Sequence, residues 1–128
     1  MTNLNGKWNY RSFCPRAGTA TTPPQIAAPW TPPGVLTVTT DANGAVTGTL
    51  DFPANQFNVT GSVTAASKEQ GLPPGIDLTG VSGSAIYKIR GYFIDGSDHI
   101  VGALVSTQDD LVKRPVGTSG PFILFPVK

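Results

Sequence analysis

The sequence predicts an all-β protein, and three observations lead to that fold class. Fifteen glycines and twelve prolines interrupt the chain and Glu69 is its only glutamate, so helix formers are scarce. Valine, isoleucine and threonine make up 33 of the 128 residues, and β-branched residues favour strands. Apolar and polar residues also alternate with period two between turn-forming residues, as in half-buried strands. A chain of this length fits one domain, spanning residues 1–128.

Eight candidate strands follow one another along the chain. The clearest hairpin surrounds Asn43-Gly44, because this pair supplies the positive φ that a tight turn needs. Charged and polar residues over Gln108 to Gly117 predict a loop before the last strand. The predicted strands are Gly6 to Phe13, Gly34 to Thr40, Ala45 to Phe52, Gln56 to Ala65, Ile76 to Gly80, Ser84 to Asp95, His99 to Thr107 and Gly120 to Val127.

Residues 14–33 are predicted to form a long proline-rich loop. Six prolines in this segment argue against a central strand and favour an extended, semi-rigid connection. The segment nevertheless carries Trp30, a large apolar side chain that a fully solvated loop does not need. Trp30 is therefore expected to pack against the protein, either over one barrel mouth as a lid, or on the outer wall or against a neighbouring subunit.

Two features favour a closed eight-stranded antiparallel up-and-down β-barrel over the alternative, a β-sandwich. Glycines lie inside the predicted strands at Gly48, Gly61, Gly91 and Gly102, where a small barrel needs tight bends. The order of the hairpins also shows no Greek-key crossover. An eight-stranded barrel leaves room for side chains or for one small ligand.

Several short motifs carry a resemblance to a known family. The opening Leu4-Asn5-Gly6-Lys7-Trp8 resembles the Gly-x-Trp start of the calycin barrels, which comprise the lipocalins and avidins. The segments Gly34–Thr40, Asp41–Gly44, Val46–Leu50 and Phe57–Gly61 are similar to the following avidin strands and their turn. The resemblance implies a barrel with a ligand cavity and with Trp8 closing one end. Avidins hold biotin with tryptophans on later strands, and this chain has none after Trp30, so biotin is not the expected ligand.

The two faces of the strand Ser84 to Asp95 differ in polarity. One face carries Ala85, Tyr87, Ile89, Gly91 and Phe93, and the other carries Ile86, Lys88, Arg90, Tyr92 and Ile94. With the first face inward, the two cations are ordinary solvent-facing residues. With the second face inward, Arg90 and Tyr92 would meet an anionic or carbonyl-bearing ligand. The sequence alone leaves both orientations open.

No motif for nucleophilic, metal-assisted or phosphate chemistry stands out in the sequence. His99 is the only histidine and Cys14 the only cysteine, so zinc lacks ligands, a disulfide lacks a partner, and no metal or cofactor is assigned. Asp98, His99 and Ser97 are adjacent, but neighbours in sequence rarely orient as a catalytic triad. Charged residues are 13% of the chain with a net charge of +1, which argues against nucleic acid or anionic membrane as a partner. The start lacks a signal-peptide pattern and no apolar run is long enough for a membrane helix, so a cytoplasmic chain is predicted.

The first functional hypothesis is a non-enzymatic protein that holds a small, mostly apolar or aromatic ligand in the barrel. A second is a cyclase or isomerase that acts by shaping its substrate, which would show no motif. A third is a protein inhibitor or an assembly subunit. Because the later strands are apolar on both faces, a homo-oligomer is also predicted. The candidate ligand-binding residues are Trp8, Tyr10, Trp30, Phe57, Tyr87, Arg90 and Tyr92.

Overall fold

The computed structural model describes residues 4–16, 25–107 and 116–128, and all of its regular elements there are β-strands. No helix in these ranges is long and apolar enough to span a membrane. The strands are β1 (Gly6–Arg16), β2 (Gln25–Pro29), β3 (Gly34–Thr40), β4 (Ala45–Asp51), β5 (Gln56–Thr64), β6 (Gly75–Ser82), β7 (Ala85–Phe93), β8 (Ile100–Ser106) and β9 (Ser119–Pro126).

Eight of these strands close into an antiparallel barrel. From β3 to β9 each strand pairs with the next one along the chain, and β1 pairs with both β3 and β9. Trp8, for example, lies opposite Leu36 on one side and opposite Pro126 on the other. The predicted up-and-down barrel is therefore confirmed, and the sandwich alternative is wrong.

The prediction of a continuous loop over residues 14–33 is wrong for residues 14–16 and 25–29, which are strands. Strand β1 continues to Arg16, and β2 pairs with its far half, with Phe13 opposite Pro29 and Arg16 opposite Gln25. The prolines are compatible with these strands because Pro15 lies at a break in the register and β2 is outside the closed ring. Residues 17–24 of the segment, and residues 108–115 of the later predicted loop, lie outside the described residues.

Inward-facing side chains form one hydrophobic core inside the barrel. Strict alternation puts Leu36, Val38, Leu50, Phe57 and Val59 inside. Several inward positions are glycines that face larger side chains on the next strand, such as Gly61 opposite Leu78. This pairing of small with large residues lets the neighbouring strands approach closely, as expected for the strand glycines of a small barrel.

Leu4 and Trp8 pack at one end of the barrel. Leu4 is fully buried there, and its backbone N–H donates to Thr40 Oγ1 over 3.0 Å. The Trp8 indole N–H donates to the carbonyl oxygen of Leu4 over 3.0 Å, and the ring packs against the core. The predicted turn beside them is present, since Gly44 has a φ of 84° and Asp41 Oδ1 accepts the N–H groups of Asn43 and Ala45.

The outer surface of the barrel has two contrasting walls. Strands β3 to β5 present a polar wall, and strands β8 and β9 present an apolar wall. The polar wall is Thr37, Thr39, Thr47, Thr49, Asn58 and Thr60. The apolar wall is Val101, Ala103, Val105, Pro121, Ile123 and Phe125. Arg11 borders the apolar wall, with its guanidinium carbon 5.5 Å from the centre of the Phe125 ring.

Candidate ligand-binding site

Trp30 is anchored at the barrel end opposite Leu4 and Trp8. Trp30 follows directly after β2, and its backbone N–H donates to the carbonyl oxygen of Ser12 in β1 over 2.9 Å. The indole N–H donates to the Tyr87 hydroxyl over 3.2 Å inside the barrel. Only 2% of Trp30 is exposed, so its ring belongs to the core at this mouth.

Six aromatic rings form a continuous cluster beneath this mouth. Trp30 meets Tyr87 edge-on at 5.9 Å between ring centres, and Tyr87 lies 5.2 Å from Phe57. Phe57 in turn meets Phe52 edge-on at 5.9 Å. The Tyr10 ring centre lies 5.9 Å from that of Phe52 and 6.1 Å from that of Phe122, so Tyr10 extends the cluster to Phe122. These separations are in the range where aromatic pairs attract beyond simple burial.

A cavity of about 120 Å³ lies at the outer edge of this cluster. It is bounded by the aromatic rings on one side and by two turns on the other. One of these turns is the two-residue Pro53-Ala54 loop, closed by hydrogen bonds between the backbones of Phe52 and Asn55. The aromatic side is Trp30, Phe52, Phe57 and Tyr87, and the prolines of the rim are Pro32 and Pro53. The volume approaches that of the cavity of roughly 150 Å³ that holds one benzene molecule in a mutant protein core.

The two tyrosines of the cluster, Tyr10 and Tyr87, are buried. Burial raises the pKa of Tyr10 well above its ordinary value. Tyr10 therefore stays neutral over the physiological pH range. With no charged side chain among its lining residues, the cavity favours an uncharged ligand.

The predicted ligand-binding residues lie in three places, which are the aromatic cluster, the opposite barrel end and the outer wall. Tyr10, Trp30, Phe57 and Tyr87 share the aromatic cluster, although Tyr10 does not line the cavity. Trp8 lies at the opposite barrel end, beside Leu4.

Arg90 and Tyr92 lie on the outer wall, so of the two orientations that the sequence left open, the one with these residues facing a ligand inside the barrel is wrong. The alternating burial of β7 shows that its apolar face, with Tyr87 and Ile89, points inward. Arg90 pairs across the outer wall with Asp77, with 2.9 Å between Nη2 and Oδ2. The physical reason is that turning this face inward would bury a guanidinium and a lysine in an apolar core.

Phe52 and the two rim prolines were missing from the predicted site. Phe52 continues the inward alternation of Val46, Gly48 and Leu50, so periodicity alone was a sufficient signal for its direction. Nothing in the sequence signalled that Pro32 and Pro53 would meet at one mouth. They are brought together by strand pairing and not by sequence proximity.

The described residues offer little for metal or triad chemistry. Within them, no three histidine, cysteine, aspartate or glutamate side chains lie close enough together to hold a metal ion. The Ser97 hydroxyl donates to the Ile94 carbonyl oxygen and accepts the backbone N–H of His99, each over 3.1 Å. Ser97 therefore caps its turn, and His99 Nε2 lies 3.8 Å from Asp98 Oδ1.

Comparison with known proteins gives no relative for this chain. No protein-family model, no curated protein and no solved structure matches it. Its function is therefore inferred from its own side chains and cavities.

Proposed function

We propose that this protein binds a small uncharged ligand with a single apolar ring at the barrel mouth beside Trp30. The observation that carries the proposal is the cavity of about 120 Å³ bounded by four aromatic side chains and two prolines. Aromatic walls bind flat apolar groups through burial and through ring-to-ring contacts. Trp30 forms the inner wall of the site, so it lies beneath the ligand and not over it as a lid.

The size of the cavity narrows the class of ligand. Sites for drug-sized molecules commonly have roughly 300 to 1,000 Å³, so the mouth suits a smaller group. The core side chains of β3 to β9 occupy the barrel interior beneath it. We therefore propose that the ligand binds at the barrel mouth and not deeper in the barrel, because one ring can enter there without displacing core residues.

A calycin-like relationship is part of the same proposal. It is supported by the closed eight-stranded barrel and by the Gly6-x-Trp8 start, with Trp8 packed at one end. Calycin barrels bind ligands at an open mouth, and here the Trp30 end carries the aromatic cavity.

Binding of toluene and p-cresol, measured by amide chemical-shift mapping, tests the proposal. Both probes are expected to shift amides around Trp30, Phe52 and Tyr87, because one ring fits the cavity. Ala54→Leu adds apolar bulk at the rim and is expected to weaken binding about tenfold, since the added atoms compete for the same space.

Ala42→Leu is the matched control, because Ala42 is also an exposed alanine in a hairpin turn but lies at the other barrel end. It should leave the affinity unchanged. If neither probe shifts amides at the Trp30 mouth, or if both substitutions act alike, the proposed site is wrong.

A second proposal, self-association, rests on the apolar wall. We propose that two copies pair through this wall, because its six side chains are apolar and uncharged and their removal from water favours association. The polar wall on β3 to β5 is unsuited to such a contact, since burying its hydroxyls costs free energy unless they are paired. Dimers of this kind use the same patch on both copies.

Light scattering is expected to give a dimer mass for the wild-type chain at micromolar concentration. Ile123→Lys, in the middle of the apolar wall, should convert the dimer to a monomer, because a buried ammonium has no partner there. Thr49→Lys is the control on the polar wall, and it should leave the mass unchanged. A monomeric wild-type chain would refute this interface.

A further inference from the structure

A second cleft lies on the outside of the barrel, remote from the Trp30 mouth. The link between β5 and β6, residues 65–74, forms a small closed turn in which Ser67 and Leu72 exchange two backbone hydrogen bonds of 2.9 Å. Between this turn and the outer faces of β6 and β7 is a cavity of about 250 Å³. Its volume is close to the lower end of the range for small-molecule sites.

Tyr92 supplies an aromatic surface to this cleft. It lies opposite Gly75 on the neighbouring strand, and a Cβ at Gly75 would be 3.2 Å from Tyr92 Cδ1. One edge of the ring therefore lies beside Gly75, which has no side chain. This places an apolar ring beside polar groups of the link, which include Ser67 and Gln70.

The ion pair of Arg90 and Asp77 forms the polar side of the cleft. Its two side chains keep 72% and 45% of their surface exposed, so they remain accessible to a ligand. One guanidinium nitrogen bonds one carboxylate oxygen over 2.9 Å, while Arg90 has further N–H donors and Asp77 has a second oxygen. The Arg90 guanidinium, which only donates hydrogen bonds, thus lies beside the Asp77 carboxylate, which only accepts them. Both line the same cleft as the Tyr92 ring.

We infer that this cleft binds the ring of a neutral sugar. A sugar ring has an apolar C–H face that can stack on Tyr92. Its vicinal hydroxyls are both donors and acceptors, so one can accept from Arg90 while its neighbour donates to Asp77. This inference goes beyond the proposed mouth site and is independent of it.

The charge balance of the cleft favours a neutral ligand. An anion next to Arg90 would also face the Asp77 carboxylate, and a cation next to Asp77 would face the guanidinium. The hydroxyl and amide groups of Thr64, Ser67 and Gln70 offer further polar contacts without charge. A neutral sugar meets all of these groups without a repulsive pair.

Amide chemical-shift mapping with cellohexaose, maltohexaose, mannohexaose and chitohexaose tests the inference. At least one of these probes is expected to shift the amides of Gln70, Arg90 and Tyr92 saturably. Asp77→Asn should weaken that binding about tenfold, because an amide replaces the charged acceptor. Tyr92→Ala should weaken it at least as much, whereas Tyr92→Phe keeps the ring and most of the affinity.

Lys88→Gln is the matched control. Lys88 is two residues from Arg90 on the same outer face, but it does not line this cleft and donates to Thr79 instead. Lys88→Gln should leave the affinity unchanged. That result would show that Asp77→Asn acts through the Arg90–Asp77 contact and not through any change of charge on this outer face. If none of the four probes shifts these amides at millimolar concentration, or if Asp77→Asn and Lys88→Gln act alike, the inference is overturned. Toluene binding at the mouth is expected to persist in all of these variants.

Discussion

Replacing Trp30 by alanine is expected to lower the free energy of unfolding by about 3 to 5 kcal/mol, the usual cost of truncating a buried tryptophan. The ring is 2% exposed and meets Tyr87 edge-on. The substitution also removes the indole N–H that donates to the Tyr87 hydroxyl. Urea unfolding followed by circular dichroism measures this loss, because the signal does not depend on tryptophan fluorescence.

Trp30→Phe is the matched variant for this prediction. It keeps an aromatic ring at the mouth and removes the indole N–H, so most of the stability and the affinity for toluene should remain. A loss below about 1 kcal/mol for Trp30→Ala would contradict the structure, because that is the range of surface substitutions. Trp30 would then lie outside the core in solution.

Replacing Gly102 by alanine is expected to destabilise the barrel by about 3 kcal/mol or more, at or above the usual cost of overpacking. A Cβ at this position would meet the Arg90 carbonyl oxygen and would lie 2.5 Å from Gly91 Cα. Both obstacles are backbone atoms of β7, so no side-chain rotation relieves the contact. Strands β7 and β8 would have to separate, which disturbs their ladder of hydrogen bonds.

Gly80→Ala is the control for the effect of removing a strand glycine. Gly80 also faces the barrel interior, but an added Cβ would lie 3.7 Å or more from its neighbours, at ordinary contact distance. It should be neutral, or stabilising by about 0.4 to 1 kcal/mol, because alanine restricts the unfolded chain. Equal destabilisation by both substitutions in urea unfolding would show that close approach of β7 and β8 is not the cause.

The residue pattern was sufficient to predict the eight strands of the barrel and the inward or outward direction of most of their side chains. Alternation is a local property, because successive strand residues point to opposite faces whatever the strand pairs with. Phe57 and Val59 could therefore be placed on one face from spacing alone. For β7 the sequence left both orientations open, and the structure shows that the less polar face, with Tyr87, points inward.

Which residues come together at the Trp30 mouth and at the outer cleft could not be predicted from the sequence. Trp30 reaches Tyr87 across 57 positions of the chain, through the pairing of β2 with β1. The outer cleft likewise depends on how residues 65–74 fold against β6 and β7. Such contacts join residues distant in sequence, and their geometry follows from strand register and barrel closure, which no local pattern encodes.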